Sequence, residues 1–260
     1  MFRHGLSLPL RGLKYSSMSN IYLSEIINLH EPSGGDGYPF DIPAIKSLRS
    51  LSFTTDVTYF IGENGSGKST LLEAIAIKMG MNAEGGGRNF HFSTNATHSI
   101  LEEELKCVRT PYRLYDNFFY RAESFYNAVT YLESLKEGGN PFFAYGGESL
   151  HHCSHGEGMV RLIENRLECG FYIFDEPEAA LSYQNQLRFL LWMHRAVKAG
   201  SQLIVSTHSP VLLAYPGAVI YHLNQDGIQK TSYEASYIYN DMRSFVNNVP
   251  LIQNELGLLD

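Results

Sequence analysis

Gly62-Glu63-Asn64-Gly65-Ser66-Gly67-Lys68-Ser69-Thr70 follows a short apolar run, Val57–Ile61, and leads into a stretch where Leu71, Leu72, Ile75 and Met79 recur at helical spacing. The nine residues match G-x-x-x-x-G-K-[ST] in the setting that gives the pattern its meaning, a strand before and an amphipathic helix after. Glycines here let successive backbone N–H groups turn inward around a phosphate chain, and the partial positive charge of the helix start adds to them. Asn64, Gly65, Ser66, Gly67 and Thr70 are therefore expected to cradle the phosphates of a nucleotide, Lys68 to reach the β and γ phosphates, and Ser69 to ligate Mg²⁺. An ordinary Gly-rich turn needs neither the lysine nor the hydroxyl beside it.

Further along, Phe171-Tyr172-Ile173-Phe174-Asp175-Glu176 ends an apolar run on two adjacent carboxylates. Burying such a pair is costly unless a cation or hydrogen bonds compensate, and Mg²⁺ resolves the cost. Asp175 is expected to hold the metal through its water shell, and Glu176 to orient or deprotonate the water that attacks the γ-phosphate. Leu203-Ile204-Val205-Ser206-Thr207-His208 repeats the arrangement on another strand and delivers His208 to the same sheet edge, where ligands collect in open α/β sheets. His208 joins Glu176 as a catalytic candidate, poised to donate to the γ-phosphate.

Strands and helices alternate, with a strand at Ile21–Leu29, a helix at Tyr183–Lys198 and a hairpin of Val219–Leu223 and Ile228–Thr231 around Asp226-Gly227. The Gly85-Gly86-Gly87 run and the stretch that follows to Asn140 hold the least regular pattern, with helices expected near Ser99–Val108 and Ser124–Lys136. The expected fold class is α/β: a P-loop NTPase with a mixed sheet flanked by helices and an inserted helical subdomain at about 90–155. Residues 20–260 form one domain in this reading. Residues 1–19 form a basic leader with Arg3, Arg11 and Lys14, and Met18 is an alternative start.

The chain has 260 residues, 44% hydrophobic, enough for a sizeable core. Its net charge of -7 and pI of about 5.8 leave no global basic field for DNA or an anionic membrane. Apolar runs are too short for a membrane-spanning helix. Cys107, Cys153 and Cys169 form no paired framework, so a cytoplasmic protein is expected. His151, His152, Cys153 and His155 are clustered, but adjacent histidines point apart and no second pair completes a tetrahedral zinc set.

The three motifs, in this order, resemble the ATP-binding-cassette class of ATPases, and Ser154-His155-Gly156-Glu157-Gly158 stands where that class has its signature loop. With Arg121-Ala122-Glu123-Ser124-Phe125, Asp175-Glu176-Pro177-Glu178-Ala179-Ala180-Leu181-Ser182 and Thr207-His208-Ser209-Pro210, the chain is similar to a stand-alone bacterial group of AAA-family ATPases. The resemblance spans about residues 20–225. It implies a head-to-tail homodimer in which Ser154 and Gly156 of one copy meet the nucleotide on the P-loop of another, with ATP and Mg²⁺ as cofactors and hydrolysis reopening the dimer.

His155 and Glu157 alter the signature of transporter ATPases, and Glu178 replaces the Thr or Ser that follows their Asp-Glu-Pro, so the closer likeness is to chromosome-maintenance, recombination and phage-defence ATPases. No Gln occurs between Lys68 and Gln184, so the class's usual glutamine contact is missing, with Thr94, Asn95 or Glu123 as substitutes. The client is expected to be DNA or an effector protein. Arg109, Arg113 and Arg121 with Tyr112, Tyr115 and Tyr120 form a candidate local DNA patch, for which salt-bridging and core packing are equally good explanations. A nucleotide sensor with negligible turnover and a transporter's ATPase subunit are the competing readings. Glu176 weighs against the first, Glu178 and the altered signature against the second.

Overall fold

The computed structural model describes residues 20–31, 33, 35–86, 99–122, 155–165 and 167–258. Two sheets organise them. The larger has six strands in the order β5-β6-β7-β3-β8-β9: β3 (Val57–Ile61), β5 (Asn117–Arg121), β6 (Phe171–Asp175), β7 (Gln202–Ser206), β8 (Val219–Asn224) and β9 (Gly227–Thr231). The first five in that order run parallel, and β9 returns antiparallel through the expected hairpin. The smaller sheet is antiparallel, with β1 (Leu23–Asn28) between β2 (Ser50–Ser52) and β4 (Leu105–Arg109). The expected mixed α/β sheet is thus the architecture observed.

Parallel strands covered on both faces read as unbroken apolar runs, and β3, β6 and β7 are buried at every position. Their side chains alternate between two cores. Tyr59, Tyr172, Phe174 and Val205 face one core, shared with α4 (His155–Asn165) and α5 (Tyr183–Lys198), while Phe60, Phe171, Ile173 and Ile204 face the other. In the first core Phe174 stacks edge-on against Phe189 and Trp192, with ring centroids 5.0 and 5.4 Å away. The helix α5 starts where Ser182 caps it, accepting a hydrogen bond from the Asn185 N–H.

The second core lies between the two sheets and contains α2 (Lys68–Lys78). Leu71, Leu72, Glu73, Ala74, Ile75 and Ala76 are all buried, so α2 is covered around its circumference instead of presenting the single apolar stripe expected. It packs on β6 and β7 on one side, and on β4 and α3 (Leu101–Glu104) on the other. Gln202, fully buried, joins the sheets: its Oε1 accepts from the N–H groups of Tyr22 and Leu23 at 2.8 and 2.9 Å, and its Nε2 donates to the Leu23 carbonyl. A buried amide satisfied on both ends stabilises this arrangement where an unsatisfied one would cost it.

The helix expected near Ser99–Val108 is one turn, α3, after which Leu105–Arg109 becomes β4. Pairing with β1 explains this, since Leu105 turns into the core while Lys106 points to solvent in strand alternation. Residues 99–122, within the stretch read as an inserted helical subdomain, therefore supply a strand to each sheet. The rest of that stretch, including the helix expected at Ser124–Lys136, lies outside the described residues, as does the 1–19 leader. After β9 the chain continues into α6 (Tyr237–Asn247) and α7 (Val249–Glu255), two helices beyond the last element expected from the sequence. Among the described residues no helix is long and apolar enough to cross a membrane.

Candidate functional site

The chain leaves β3 through Gly62, where a side chain would collide with the Leu223 carbonyl oxygen of β8, 2.3 Å from a Cβ position. Gly65 and Gly67 then adopt left-handed backbone, φ 79° and 96°, conformations that glycine reaches without steric cost. Gly67 is the N-cap of α2 and supplies no side chain to it, so the first amides of that helix retain their capacity to bind an anion. Lys68 folds back along the loop, and its Nζ donates to the carbonyls of Gly62 at 2.7 Å and Glu63 at 3.0 Å. Burial pushes its pKa down, opposed by the charges of Glu176, Asp175 and Glu178. The hydroxyl of Ser66 is buried beside the glycines and has no hydrogen-bond partner among the described residues.

Asp175 closes β6, two strands from β3 in the sheet, and is 4% exposed. The hydroxyls of Ser206 and Ser69 donate to its carboxylate, and Arg121 Nε stands 3.9 Å from its Oδ2. Burial nevertheless outweighs these contacts and pushes its pKa up. Glu176 follows in left-handed backbone, φ 49° and ψ 53°, alone among the described non-glycine residues. Its N–H is held by the carbonyl and hydroxyl of Ser206, both at 3.2 Å. A glutamate kept in this region costs backbone energy, as is common where function dictates geometry. Its Oε1 lies 3.3 Å from Nε2 of His208, a contact made without hydrogen-bond alignment.

The three expected strand exits thus converge: Lys68 and Ser69 after β3, Asp175 and Glu176 after β6, His208 after β7. Two family models match the chain, "AAA domain" over residues 43–131 and "AAA domain, putative AbiEii toxin, Type IV TA system" over residues 150–214. The chain is a P-loop ATPase. Similar solved structures include an SMC head domain from Thermotoga maritima, 17% identical, covering 82% of this chain and 99% of that one at a TM-score of 0.41. The ATP-binding subunit of an ABC transporter is 16% identical and covers 86% and 93% at a TM-score of 0.45. No curated protein matches the chain in sequence.

The donor set of this ATPase suits Mg²⁺. A buried carboxylate hydrogen-bonded to the P-loop serine hydroxyl offers hard oxygen ligands, and this ion keeps waters and phosphate oxygens for its remaining positions. Among the described residues no cluster of three or more His, Cys, Asp or Glu side chains is arranged to hold a metal by protein ligands alone. His151, His152 and Cys153 of the zinc cluster considered from sequence lie outside the described residues, as does Ser154, the nucleotide contact expected from the signature loop. So do Thr94, Asn95 and Glu123, the substitutes considered for the missing glutamine. Gly156, in the first turn of α4, is buried against its own chain, where a Cβ would stand 2.5 Å from the Ala180 carbonyl oxygen.

Three residues of the ATPase site were not assigned there from sequence. Arg121, at the end of β5, pairs with Glu73 at 2.8 Å and faces Asp175. Glu178 accepts hydrogen bonds from the His208 N–H and the Thr207 side chain, tying the turn Pro177–Ala180 to the His208 loop. Its signal was the second acid in Asp-Glu-Pro-Glu. Tyr38, largely exposed, sets its hydroxyl 3.1 Å from Thr70 Oγ1. The candidate DNA patch is divided: Tyr120 is core and Arg121 is committed to carboxylates, whereas Arg113 stacks over exposed Tyr115 and Arg109 donates to the Lys78 carbonyl.

Proposed function

We propose that this ATPase binds Mg-ATP, closes head-to-tail with a second copy around two nucleotides, and reopens on hydrolysis, so that ATP governs its grip on a partner effector protein. The convergence of Lys68, Ser69, Asp175, Glu176 and His208 carries the reading. Lys68 releases the Gly62 and Glu63 carbonyls and turns its ammonium to the β and γ phosphates, a transfer between acceptors that keeps it charged. Ser69 and Asp175 would hold Mg²⁺, which would supply neutralisation of the charge that develops on phosphate. Glu176 accepts the proton of the attacking water, and His208 donates to the γ-phosphate as charge grows there.

The likeness of Ser154-His155-Gly156-Glu157-Gly158 to a signature loop supports a second copy in the closed state. Gly156 packs on the turn that carries Glu178, so a contact at the start of α4 is conveyed to the His208 loop of the same chain. A protein client is favoured over DNA by the net charge of -7 and the divided basic patch, and it suits a family description that names a toxin system. Free thiols at Cys107 and Cys169 accord with a reducing, cytoplasmic setting. The test is capture with the Glu176→Gln chain in Mg-ATP and in Mg-ADP, alongside fluorescence anisotropy with duplex and single-stranded DNA at two salt concentrations. Retention of a protein in ATP only supports the reading. ATP-dependent DNA binding with no protein retained moves the client to DNA.

A further inference from the structure

Arg121 closes β5 in register with Asp175 at the end of β6, so the two side chains leave neighbouring parallel strands at the same edge. The guanidinium serves two buried carboxylates unequally. Its Nη1 donates to Glu73 Oε2 at 2.8 Å, whereas its Nε stands 3.9 Å from Asp175 Oδ2, beyond hydrogen-bond distance. We propose that Glu73 is a positioning residue of the metal site, which holds Arg121 back from Asp175 and so leaves that carboxylate to Mg²⁺. The inference rests on the reading in which Ser69 and Asp175 bind Mg-ATP.

Charge explains why a holder is needed. An arginine meets a carboxylate best through two parallel N–H···O bonds, and Asp175, 4% exposed, lies where water does little to weaken such a contact. A guanidinium seated on Asp175 in that way would occupy the oxygen lone pairs that a hard cation requires. At 3.9 Å it lends its field to the carboxylate without taking those lone pairs.

The place of Glu73 in the fold suits this role. It lies on α2 one helical turn after Ser69, so the serine that donates to Asp175 and the glutamate that holds Arg121 share one face of the helix. Glu73 is itself 9% exposed, and its other oxygen, Oε1, accepts from the Ser99 N–H at 3.4 Å, which fixes the carboxylate that grips the arginine. On Asp175 the second oxygen, Oδ1, accepts from the Ser206 hydroxyl of β7. The elements α2, β5, β6 and β7 are thereby joined around one carboxylate, and the contact from Arg121 is the loose one. Arginine suits the position because its fork spans two acids, which the single ammonium of a lysine does less well.

The experiment is calorimetric titration of ATP into the full chain carrying Glu176→Gln, once with excess Mg²⁺ and once in EDTA, so that the ratio of the two affinities reports the metal alone. Adding Glu73→Gln releases Arg121 onto Asp175 and is expected to lower that ratio about tenfold, the order contributed by groups that orient metal ligands, while affinity in EDTA changes by less than about twofold. Adding Arg121→Gln as well removes the competing cation and should return the ratio to within about threefold of the parent, a rescue that a merely structural ion pair does not give. Glu73→Asp, which keeps the charge but withdraws it by one methylene, should lower the ratio in the same direction and carries the test if Glu73→Gln fails to fold. An unchanged ratio in a folded Glu73 variant overturns the proposal. So does a fall that Arg121→Gln does not relieve, because Glu73 then acts only through the packing of α2. A parent chain that binds ATP equally with Mg²⁺ and in EDTA refutes the metal assignment of Ser69 and Asp175, and the proposal falls with it.

Discussion

Oε1 of Glu176 lies 3.3 Å from Nε2 of His208, and the glutamate reaches that position only by adopting left-handed backbone at φ 49°. Acid and imidazole come from different strands, so the contact depends on β6 and β7 being neighbours in register, with Asp175 opposite Ser206. This adjacency suits the roles proposed for them, in which Glu176 takes a proton from water while His208 donates to a phosphate oxygen.

Glu176→Gln should retain ATP binding and slow hydrolysis by at least about a hundredfold, because an amide cannot take the proton of the attacking water. Glu176→Gly should lose turnover as well, yet raise the unfolding free energy by about 1 kcal/mol by relieving the left-handed strain. Steady-state phosphate release and urea unfolding measure the two effects. A glycine variant less stable than its parent would show that the glutamate side chain, not its backbone, governs stability here.

Lys68→Ala should weaken ATP about ten- to a hundredfold, the worth of charge-assisted hydrogen bonds to phosphate. Lys68 is 4% exposed and carries two loop carbonyls, so its loss also affects the apo loop, and circular dichroism must accompany the titration. Undiminished affinity in a folded variant removes the lysine from the phosphate site.

Glu178→Gln probes a group that burial holds above its ordinary pKa despite hydrogen bonds from the His208 N–H and Thr207. Above pH 4.5 the folded protein then retains a proton that the unfolded chain releases, so this residue's contribution to stability falls as pH rises towards its folded pKa. Glutamine does not titrate. The variant's stability relative to the parent should therefore increase as pH rises above 4.5, as read by urea unfolding in the absence of nucleotide. A difference that is constant or reversed across this range would contradict the assigned shift.

Much of this arrangement is legible in the chain because parallel strands buried on two faces leave unbroken apolar runs. Val57–Ile61, Phe171–Phe174 and Leu203–Ser206 each announce a strand and the polar residue at its exit. What stayed hidden arrives by pairing across long separations. Leu105–Arg109 reads as the continuation of a helix opened by three glutamates until β1 claims it, and Arg121 meets Asp175 only because β5 lies beside β6. The start of α6 carried a local signal after all, since Ser236 caps it by accepting from the Tyr239 N–H. Tyr38 had none, because its place beside Thr70 depends on the loop between β1 and α1 (Pro43–Ser47).

ATP, but not ADP, should shift the chain to a closed dimer, and Glu176→Gln should hold it there. In the class that the motifs resemble, the signature loop and P-loop of one chain lie too far apart to share a γ-phosphate, so completing its contacts calls for a second copy. Gly156 is packed on the Pro177–Ala180 turn, whose Glu178 holds the His208 N–H, and in the proposed closed dimer this packing would connect a nucleotide bound at the start of α4 with Glu176 and His208 of the same chain. A ligand shifts such an equilibrium only through differential affinity, and the γ-phosphate provides it. Light scattering and small-angle scattering on the Glu176→Gln chain in apo, Mg-ADP and Mg-ATP states should show doubled mass, or a more compact dimer, in ATP alone. Ser154→Arg should block that transition and reduce turnover in an otherwise unaltered chain. Identical mass and shape in ATP and ADP, or full activity in Ser154→Arg, would mean that each copy completes its own site and that Ser154 is no more than a helix cap.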